Sequence, residues 1–288
     1  MKKTCRPRVT VLLLTVLLLA VSCSSQPKNP GDVISIRSSA EKELELGNKT
    51  ASRGDYDIAR ELLRECRRKA IITDDISLLI RSSLSLGNVL LTLSQNDEAF
   101  AQFEQALAFA EKSGDRELLS VGRVYNARGK LLTKPSSAQD VLDEVTREAA
   151  NIKSNRLYIA FSWQVRGQAH RELGSYAEAE AAFRQSLDIH VKDRSLENAS
   201  YDWYTIASVR SLAGNTAGAL EALEASIALD RRIENSWGLA ANWRAMGDVY
   251  RRAGKQDDAR EAYQRARAIY SALGYEREAA EIDRRMAN

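Results

Sequence analysis

Between Ala240 and Arg252 the larger apolar residues recur at three- and four-residue steps, the period of one amphipathic helix. Ala253-Gly254-Lys255-Gln256 interrupts the pattern, with Gly254 suited to the left-handed residue that ends a helix. From Asp257 onward Ala259, Tyr263 and Ala266 mark the inner face of a second helix, and Glu261 and Arg265 form an i,i+4 pair on its outer side. The segment therefore predicts a helical hairpin with one face turned inward.

The same hairpin recurs along the chain. Small residues stand 40 apart at Gly47, Gly87, Ala127, Gly167, Ala207 and Gly247. A second row follows at Ala59, Ala99, Ala138, Ala179, Ala219 and Ala259, twelve residues behind the first except for an eleven-residue step to Ala138. Larger residues fill the adjoining positions, among them Leu63, Phe103, Leu142, Phe183, Leu223 and Tyr263. Two helices approach within about 8–10 Å only where the contact residues are small, so each glycine or alanine marks a close crossing. Six equally spaced pairs predict a stacked-repeat architecture. The third unit is the least regular, since its turn from Lys130 to Ser137 contains Pro135 and lacks a glycine.

In type and spacing these residues resemble the tetratricopeptide repeat (TPR). The resemblance covers about residues 40–273 and implies an all-α, right-handed superhelical solenoid of six TPR-like helix pairs. The unit departs from the family's usual length of about 34 residues, so longer helices and a different curvature are expected. The proline that often closes a unit is absent from all six. Residues 274–288 carry an apolar stripe of Tyr275, Ala279, Ile282 and Met286, which suits a C-terminal capping helix over the last repeat's core.

The resemblance also implies a concave surface lined by the first helix of each pair, able to hold a peptide, a helix or a partner domain. Its positions carried onto this chain are Asn48, Asn88, Arg128, Gln164, Gln168, Arg171, Tyr201, Tyr204, Arg244, Asp248 and Arg251, with Leu44, Leu84, Val124, Phe161 and Ser208 beside them. Asn48 and Asn88 offer donor and acceptor to a peptide backbone. The arginines, tyrosines and phenylalanine of the second half have the composition of binding hot spots. Leu44 stands where the co-chaperone carboxylate clamp needs a lysine, so that activity is not assigned.

The N-terminus is a different object. Lys2, Lys3, Arg6 and Arg8 precede an apolar run from Val9 to Val21, and Ala20 and Ser22 are small residues ahead of Cys23. This is a secretory signal pattern over residues 1–22, too short for a comfortable membrane span. Leu19-Ala20-Val21-Ser22-Cys23 resembles the lipobox of bacterial lipoproteins, which implies lipidation (palmitate) of Cys23 and a membrane anchor. Ala20 stands where that family usually has leucine, and cleavage by an ordinary signal peptidase or an uncleaved anchor are the other readings. Residues 23–39 then form a polar tether. Ser24 lacks the inner-membrane retention signal, so the expected location is the cell envelope, with the repeats in the periplasm and the outer membrane favoured.

Removing the signal changes the charge. Of 42 basic residues four lie in it, which leaves 38 against 39 acidic ones, and nucleic-acid binding loses its electrostatic support. No catalytic constellation emerges, nor any metal or cofactor site: two histidines, His170 and His190, sit inside helical repeats, and no glycine-rich phosphate loop is present. Trp163, Trp203 and Trp243 repeat at 40-residue intervals and are expected in the inter-repeat core, Cys66 as a buried inert thiol and His170 as a packing residue. The expected function is a lipid-anchored, non-enzymatic scaffold or accessory subunit of an envelope, secretion or transport complex, binding another protein or peptide. The alternative is a periplasmic hydrophobic-solute carrier working with a transporter's substrate-binding protein. A closed apolar cavity lined by Leu44, Leu84, Val124 and Phe161 would favour the alternative.

Overall fold

The computed structural model describes residues 35–287; the signal segment, Cys23 and most of the tether lie outside the described residues. Thirteen α-helices and no strand are found among the described residues. They are α1 (Ile36–Ser52), α2 (Tyr56–Ile72), α3 (Ile76–Thr92), α4 (Asn96–Ser113), α5 (Arg116–Thr133) and α6 (Ala138–Ala149), followed by α7 (Arg156–Glu172), α8 (Tyr176–Lys192), α9 (Leu196–Leu212), α10 (Thr216–Arg232), α11 (Ser236–Arg252), α12 (Gln256–Ala272) and α13 (Glu276–Ala287). Consecutive helices pack as antiparallel pairs, so the chain is an α-solenoid of six hairpins with α13 laid over the last one. Ile282 and Ala279 of α13 are buried against Tyr263, Ala266 and Tyr270.

Most first helices of a pair start on a side-chain cap. Asp75, Asp115, Asn155 and Asn235 each accept a hydrogen bond from a backbone N–H in the first turn of α3, α5, α7 and α11. Each such cap is worth about 1 kcal/mol. The third hairpin departs from the others. Pro135–Ser137 forms a single 3₁₀ turn in place of the glycine turn, and α6 is only 12 residues long against 17 in most helices.

All twelve small residues of the two rows are buried. The space at the first row is matched to one partner across the hairpin. A methyl group on Gly167 would meet the Phe183 ring at 2.7 Å, and one on Gly247 would meet the Tyr263 ring at 2.5 Å. Gly87 faces Phe103 in the same way, too closely for any Cβ. Where the partner is leucine, as at Leu142 and Leu223, the small residue is alanine (Ala127 and Ala207). Glycine is thus required by an aromatic partner, and alanine suffices beside leucine. Gly47 opposite Leu63 is the exception, since a methyl group there would meet the leucine side chain at 2.9 Å and glycine is needed beside a leucine as well.

The other expected core residues divide. Cys66 is fully buried, and burial, helped by the nearby Glu43 charge, pushes its thiol up to about 11. Trp203 and Trp243 are half-buried against the core of the second half, whereas the Trp163 ring is covered by the Arg166 guanidinium at 4.0 Å. His170 is half-buried, and burial lowers its pKa.

Between later hairpins the contact becomes polar. The slots held by Ala70 and Ser82, then by Ala110 and Gly122, hold His190 and Asp202 and then Asp230 and Asn242 in the following units. Asp202, fully buried, accepts from Gln164 at 2.8 Å and from Ser186 at 3.0 Å, and lies 2.6 Å from His190 Nδ1. Asp230, also fully buried, accepts from Asn235 at 3.0 Å and Asn242 at 2.8 Å. Burial raises the Asp230 pKa, and hydrogen bonds from Ser200, Asn235 and Asn242 only partly offset this.

The solenoid also returns to its own beginning. The α1–α2 turn meets the start of α11, where Gly54 (φ +86°) lies against the Trp237 indole and Tyr56 packs edge-on to it at 6.2 Å. Tyr275, just before α13, donates to Asp55 at 2.5 Å, and Arg53 reaches Glu197 and the Ile233 carbonyl at 3.4 Å each. Repeat one therefore touches the fifth and sixth repeats and the terminal helix.

Two predictions arise. Gly167→Ala should lower the unfolding free energy by about 1–2 kcal/mol through overpacking against Phe183, despite a helix-propensity gain of up to about 1 kcal/mol. In a Phe183→Leu background the same change should become neutral or stabilising; equal losses in both backgrounds, measured by urea unfolding, would refute the pairing. The second concerns pH. A carboxyl whose folded pKa exceeds its unfolded value of about 3.9 stabilises fully below that value and loses this as pH rises through the folded pKa. The stability of the wild type relative to Asp230→Asn should therefore fall as pH rises above about 3.9 and through the raised folded pKa. A difference independent of pH would show that Asp230 titrates normally.

Candidate functional site

Where the two ends meet, the inner surface holds a half-open cavity of about 490 Å³. One wall is Ala51, Ser52 and Tyr56 from repeat one, with Arg128 from repeat three. The opposite wall comes from α9 to α13 and includes Tyr201, Tyr204, Trp237, Arg244 and Tyr270. Small residues at Gly238 and Ala241 on α11 leave the room. Gly238 is itself required, since a methyl there would overlap the Asp230 carboxylate and the Asn235 cap.

The cavity continues into two neighbours that share its lining. A groove of about 910 Å³ runs between α1 and the start of α9, past Glu41, Leu44, Asn48, Arg194 and Glu197. A smaller space of about 230 Å³ is bounded by Asn48, Tyr56, Asn88 and Arg128. Ser52 borders all three. Together they form an inner path of adjoining spaces, widest between α1 and α9 and most sheltered near Arg244.

The residues expected on the concave surface fall into three groups. Arg128, Tyr201, Tyr204 and Arg244 line the half-open cavity, and Asn48 and Asn88 line the adjoining spaces. Arg128 donates to Asn88 Oδ1 at 2.7 Å, so those two act as a unit. Gln164 and Gln168 are tied into the wall instead. Gln164 donates to Asp202, and Gln168 is buried within 3.5 Å of the Tyr201 hydroxyl. Arg171, Asp248 and Arg251 border none of these spaces. Arg171 pairs with its neighbour Glu172 at 2.7 Å. Asp248 is taken by Arg285 of α13 at 2.8 Å, by Tyr263 at 2.6 Å and by Arg251 at 3.4 Å. The terminal helix thus occupies the Asp248 end of the sixth repeat's share of the expected surface, whereas Arg244 of α11, the helix that carries Asp248, lines the cavity. Leu84 and Val124 are buried core, and Phe161 stacks on Tyr125 with ring centres 4.3 Å apart.

Arg244 is the distinctive group. Its guanidinium is half-buried, its only hydrogen bond goes to the Tyr204 hydroxyl at 3.5 Å, and no carboxylate among the described residues forms an ion pair with it. Burial works to lower its pKa, but the neighbouring Tyr204 and Tyr270 hydroxyls and the Glu281 carboxylate outweigh burial and hold it above the ordinary value. Burial conversely raises the phenols: Tyr270 is pushed up to about 12, and Tyr56 is raised by burial and then by Tyr201 and Glu278. Tyr56 and Tyr270 therefore stay neutral donors at ordinary pH. Among the described residues no group of three histidine, cysteine or acidic side chains could hold a metal ion. The one Ser–His–Asp grouping, Ser186, His190 and Asp202, is wholly buried, and both serine and histidine address the carboxylate.

Tyr56, Trp237, Asp230 and Tyr270 were not among the sequence-derived candidates. Trp237 carried a usable signal, because it is the tryptophan outside the 40-residue row formed by the other three. The contact between residues 55 and 275 had none.

Comparison with known proteins adds the following. Models of the tetratricopeptide repeat match residues 199–272 and 162–189. Curated proteins give no match. Solved structures of similar fold include a Rap protein complexed with Competence and Sporulation Factor, 16% identical over 88% of this chain and 75% of that one, with a TM-score of 0.61. Aspartyl phosphate phosphatase F from Bacillus subtilis is 13% identical over 87% of this chain and 79% of its own, with a TM-score of 0.59. PilW, a type IV pilus biogenesis factor, is 15% identical over 84% of this chain and 97% of its own, with a TM-score of 0.51. These likenesses concern the fold. Residues 162–189 and 199–272 are thus recognised as tetratricopeptide repeats, and the described residues as a whole have the architecture of a TPR-like solenoid.

Proposed function

We propose that this chain is a lipid-anchored scaffold or accessory subunit of a cell-envelope, secretion or transport complex, built from 40-residue variants of the repeat. It binds an extended segment of a partner protein along the inner path. The observation that carries this is the continuity of the three spaces around Ser52, which suits a chain threading inward from the open groove. The walls suit a polypeptide as well. Asn48, Asn88 and Asn198 can pair with a backbone, and Tyr201 and Tyr204 offer aromatic faces at low entropic cost. The inner cavity is already formed, which reduces the ordering cost of binding.

The solute-carrier reading finds less support. Leu84 and Val124 are consumed by the core, and the half-open cavity is lined by arginines, carboxylates and phenols rather than by aliphatic side chains. A repeat of this fold complexed with a second molecule has precedent in the Rap protein structure. The lipid anchor rests on Leu19 to Cys23 and on the charged and apolar run before them. Among the described residues no helix is long and apolar enough to cross a membrane.

Both parts are testable in cells. A photo-crosslinking amino acid at Tyr201 should capture one dominant partner, and the yield should drop at least about tenfold when Asn48 and Asn88 are both changed to Asp, given typical hot-spot costs. Crosslinks from Ile58, which is exposed on α2 and borders none of the three spaces, should be absent; the same partner captured equally from both positions would count against the inner path. For the anchor, labelled palmitate should enter the wild type and not Cys23→Ala; label persisting in the variant would exclude that site.

A further inference from the structure

The second helix of each repeat passes to the next first helix at the same edge of the solenoid, and the first repeat does this with isoleucine. Ile71 and Ile72 end α2, Ile76 opens α3, and each is at least 40% exposed. Ile36, exposed at the start of α1, stands beside them, because the adjacent Arg37 bridges to Asp75 at 2.9 Å. Four of the five isoleucines exposed among the described residues are thus gathered at one turn. The repeat does not require them. At the positions of Ile71, Ile72 and Ile76 the second repeat holds Glu111, Lys112 and Arg116, and the fifth Arg231, Arg232 and Ser236. The fourth keeps Val191 and Leu196 but has Lys192 beside them. Isoleucines left in water at four neighbouring positions mark a contact surface.

Two features decide what covers it. The described chain begins at Ser35, next to Ile36 and twelve residues from Cys23. Twelve residues span at most about 40 Å, so the patch lies where the chain comes up from its anchor, within reach of any bilayer that holds Cys23. The patch also lacks the aromatic side chains that anchor protein–protein contacts. Its neighbouring cations are engaged, Arg37 by Asp75, Arg68 by Glu65 at 2.6 Å and Lys69 by Glu43, while Asp74 in the turn is exposed. An aliphatic turn without free cations suits the boundary between headgroups and acyl chains, where apolar side chains bury about 5–10 Å deep.

Other places offer less. The inner cavity belongs to the site already described. The open depression beside α6, lined by Arg147, Arg166 and His170, is shallow and lacks a second wall. The Trp243 recess is filled by Arg265 stacked at 4.5 Å. Cys66 is sealed in the core.

We propose that Ile36, Ile71, Ile72 and Ile76 form a docking surface for the lipid bilayer, which seats this edge of the first repeat on the membrane. The proposal goes beyond the scaffold reading and rests on its anchor for the nearness of a bilayer. A single acyl chain binds membranes only marginally, and a second membrane contact makes the attachment firm. The patch also fixes orientation, since a tether alone leaves the solenoid free to tumble above the surface. Because the contact is apolar, it needs no anionic lipid.

The test uses the full chain in cells, with a diazirine amino acid at Ile72 or, as control, at Ile58, which is exposed at the other end of α2 about 20 Å away. Irradiation should add one phospholipid to the protein from position 72 and none from position 58, read by mass spectrometry. With Ile36→Ser, Ile71→Ser and Ile76→Ser also present, the yield at position 72 should fall about tenfold or more, given the apolar area removed. The triple variant without the probe should unfold at the wild-type temperature. A marked drop in that temperature would assign the isoleucines to the core and overturn the proposal. Equal lipid yields from both positions would reflect mere nearness to the membrane and overturn it too. So would the absence of adducts at position 72, or adducts there to a second copy of the chain or to another protein. The anchor is read separately by palmitate label: label without adducts at position 72 refutes the patch alone, and adducts without label refute the anchor alone.

Discussion

Close approach of paired helices at glycine–aromatic contacts is the constraint from which the rest follows. A helix crossing near 8 Å leaves no room for a methyl group where the facing residue is a ring. Gly87, Gly167 and Gly247 are therefore fixed by Phe103, Phe183 and Tyr263, and each pair sets the geometry of its hairpin. Three such hairpins, alternating with three in which a small residue faces leucine, give a curved solenoid with little freedom in pitch. The curvature is large enough for the first turn, at Gly54, to reach Trp237 nearly two hundred residues later. Helix packing at the twelve small residues thus decides whether a cavity exists at all.

Closing the solenoid changes the character of its inner face. An open superhelix presents a groove whose charges are all bathed in water, where a single ion pair is worth little. Here the α1–α2 turn and α13 withdraw part of that face from solvent, and Arg244 is left half-buried with one long hydrogen bond. The same side chain on an exposed repeat would be unremarkable. Between the fourth, fifth and sixth repeats the packing is also polar, through Asp202 and Asp230, both fully buried. Buried polar contacts of this kind specify one alignment of neighbouring units more sharply than an apolar contact does, because a slip would strand a carboxylate.

The fold was legible because its signal is local and repeated. Each glycine or alanine, with its larger partner sixteen residues on (fifteen from Ala127 to Leu142), reports the same hairpin, so the irregular third unit with Pro135 did not obscure the frame. The concave surface was partly legible for the same reason. Arg128, Tyr201, Tyr204 and Arg244 sit at positions the repeat frame points inward, and the structure brings them together around one space. Asp248 and Arg251 occupy equivalent positions in the last repeat, but that repeat is followed by α13, whose Arg285 takes the Asp248 carboxylate. The frame describes an interior repeat and does not anticipate what a terminal helix covers.

What the sequence could not reveal is closure, and the reason is physical. Whether two ends of a solenoid meet depends on small rotations summed over six units, and no single residue encodes that sum. A tryptophan out of register, Trp237, is the local trace of it. In a regular repeat the tryptophan slot lies within the first helix, as at Trp203 and Trp243, and faces its neighbouring unit. Trp237 stands at the start of α11, too early to serve that contact, and its ring instead meets Tyr56, Tyr270 and Tyr275. An aromatic residue placed where the repeat has no use for it implies a contact made by the whole superhelix. Here that contact joins the first repeat to the sixth and to the residue just ahead of the last helix, and the cavity is its consequence.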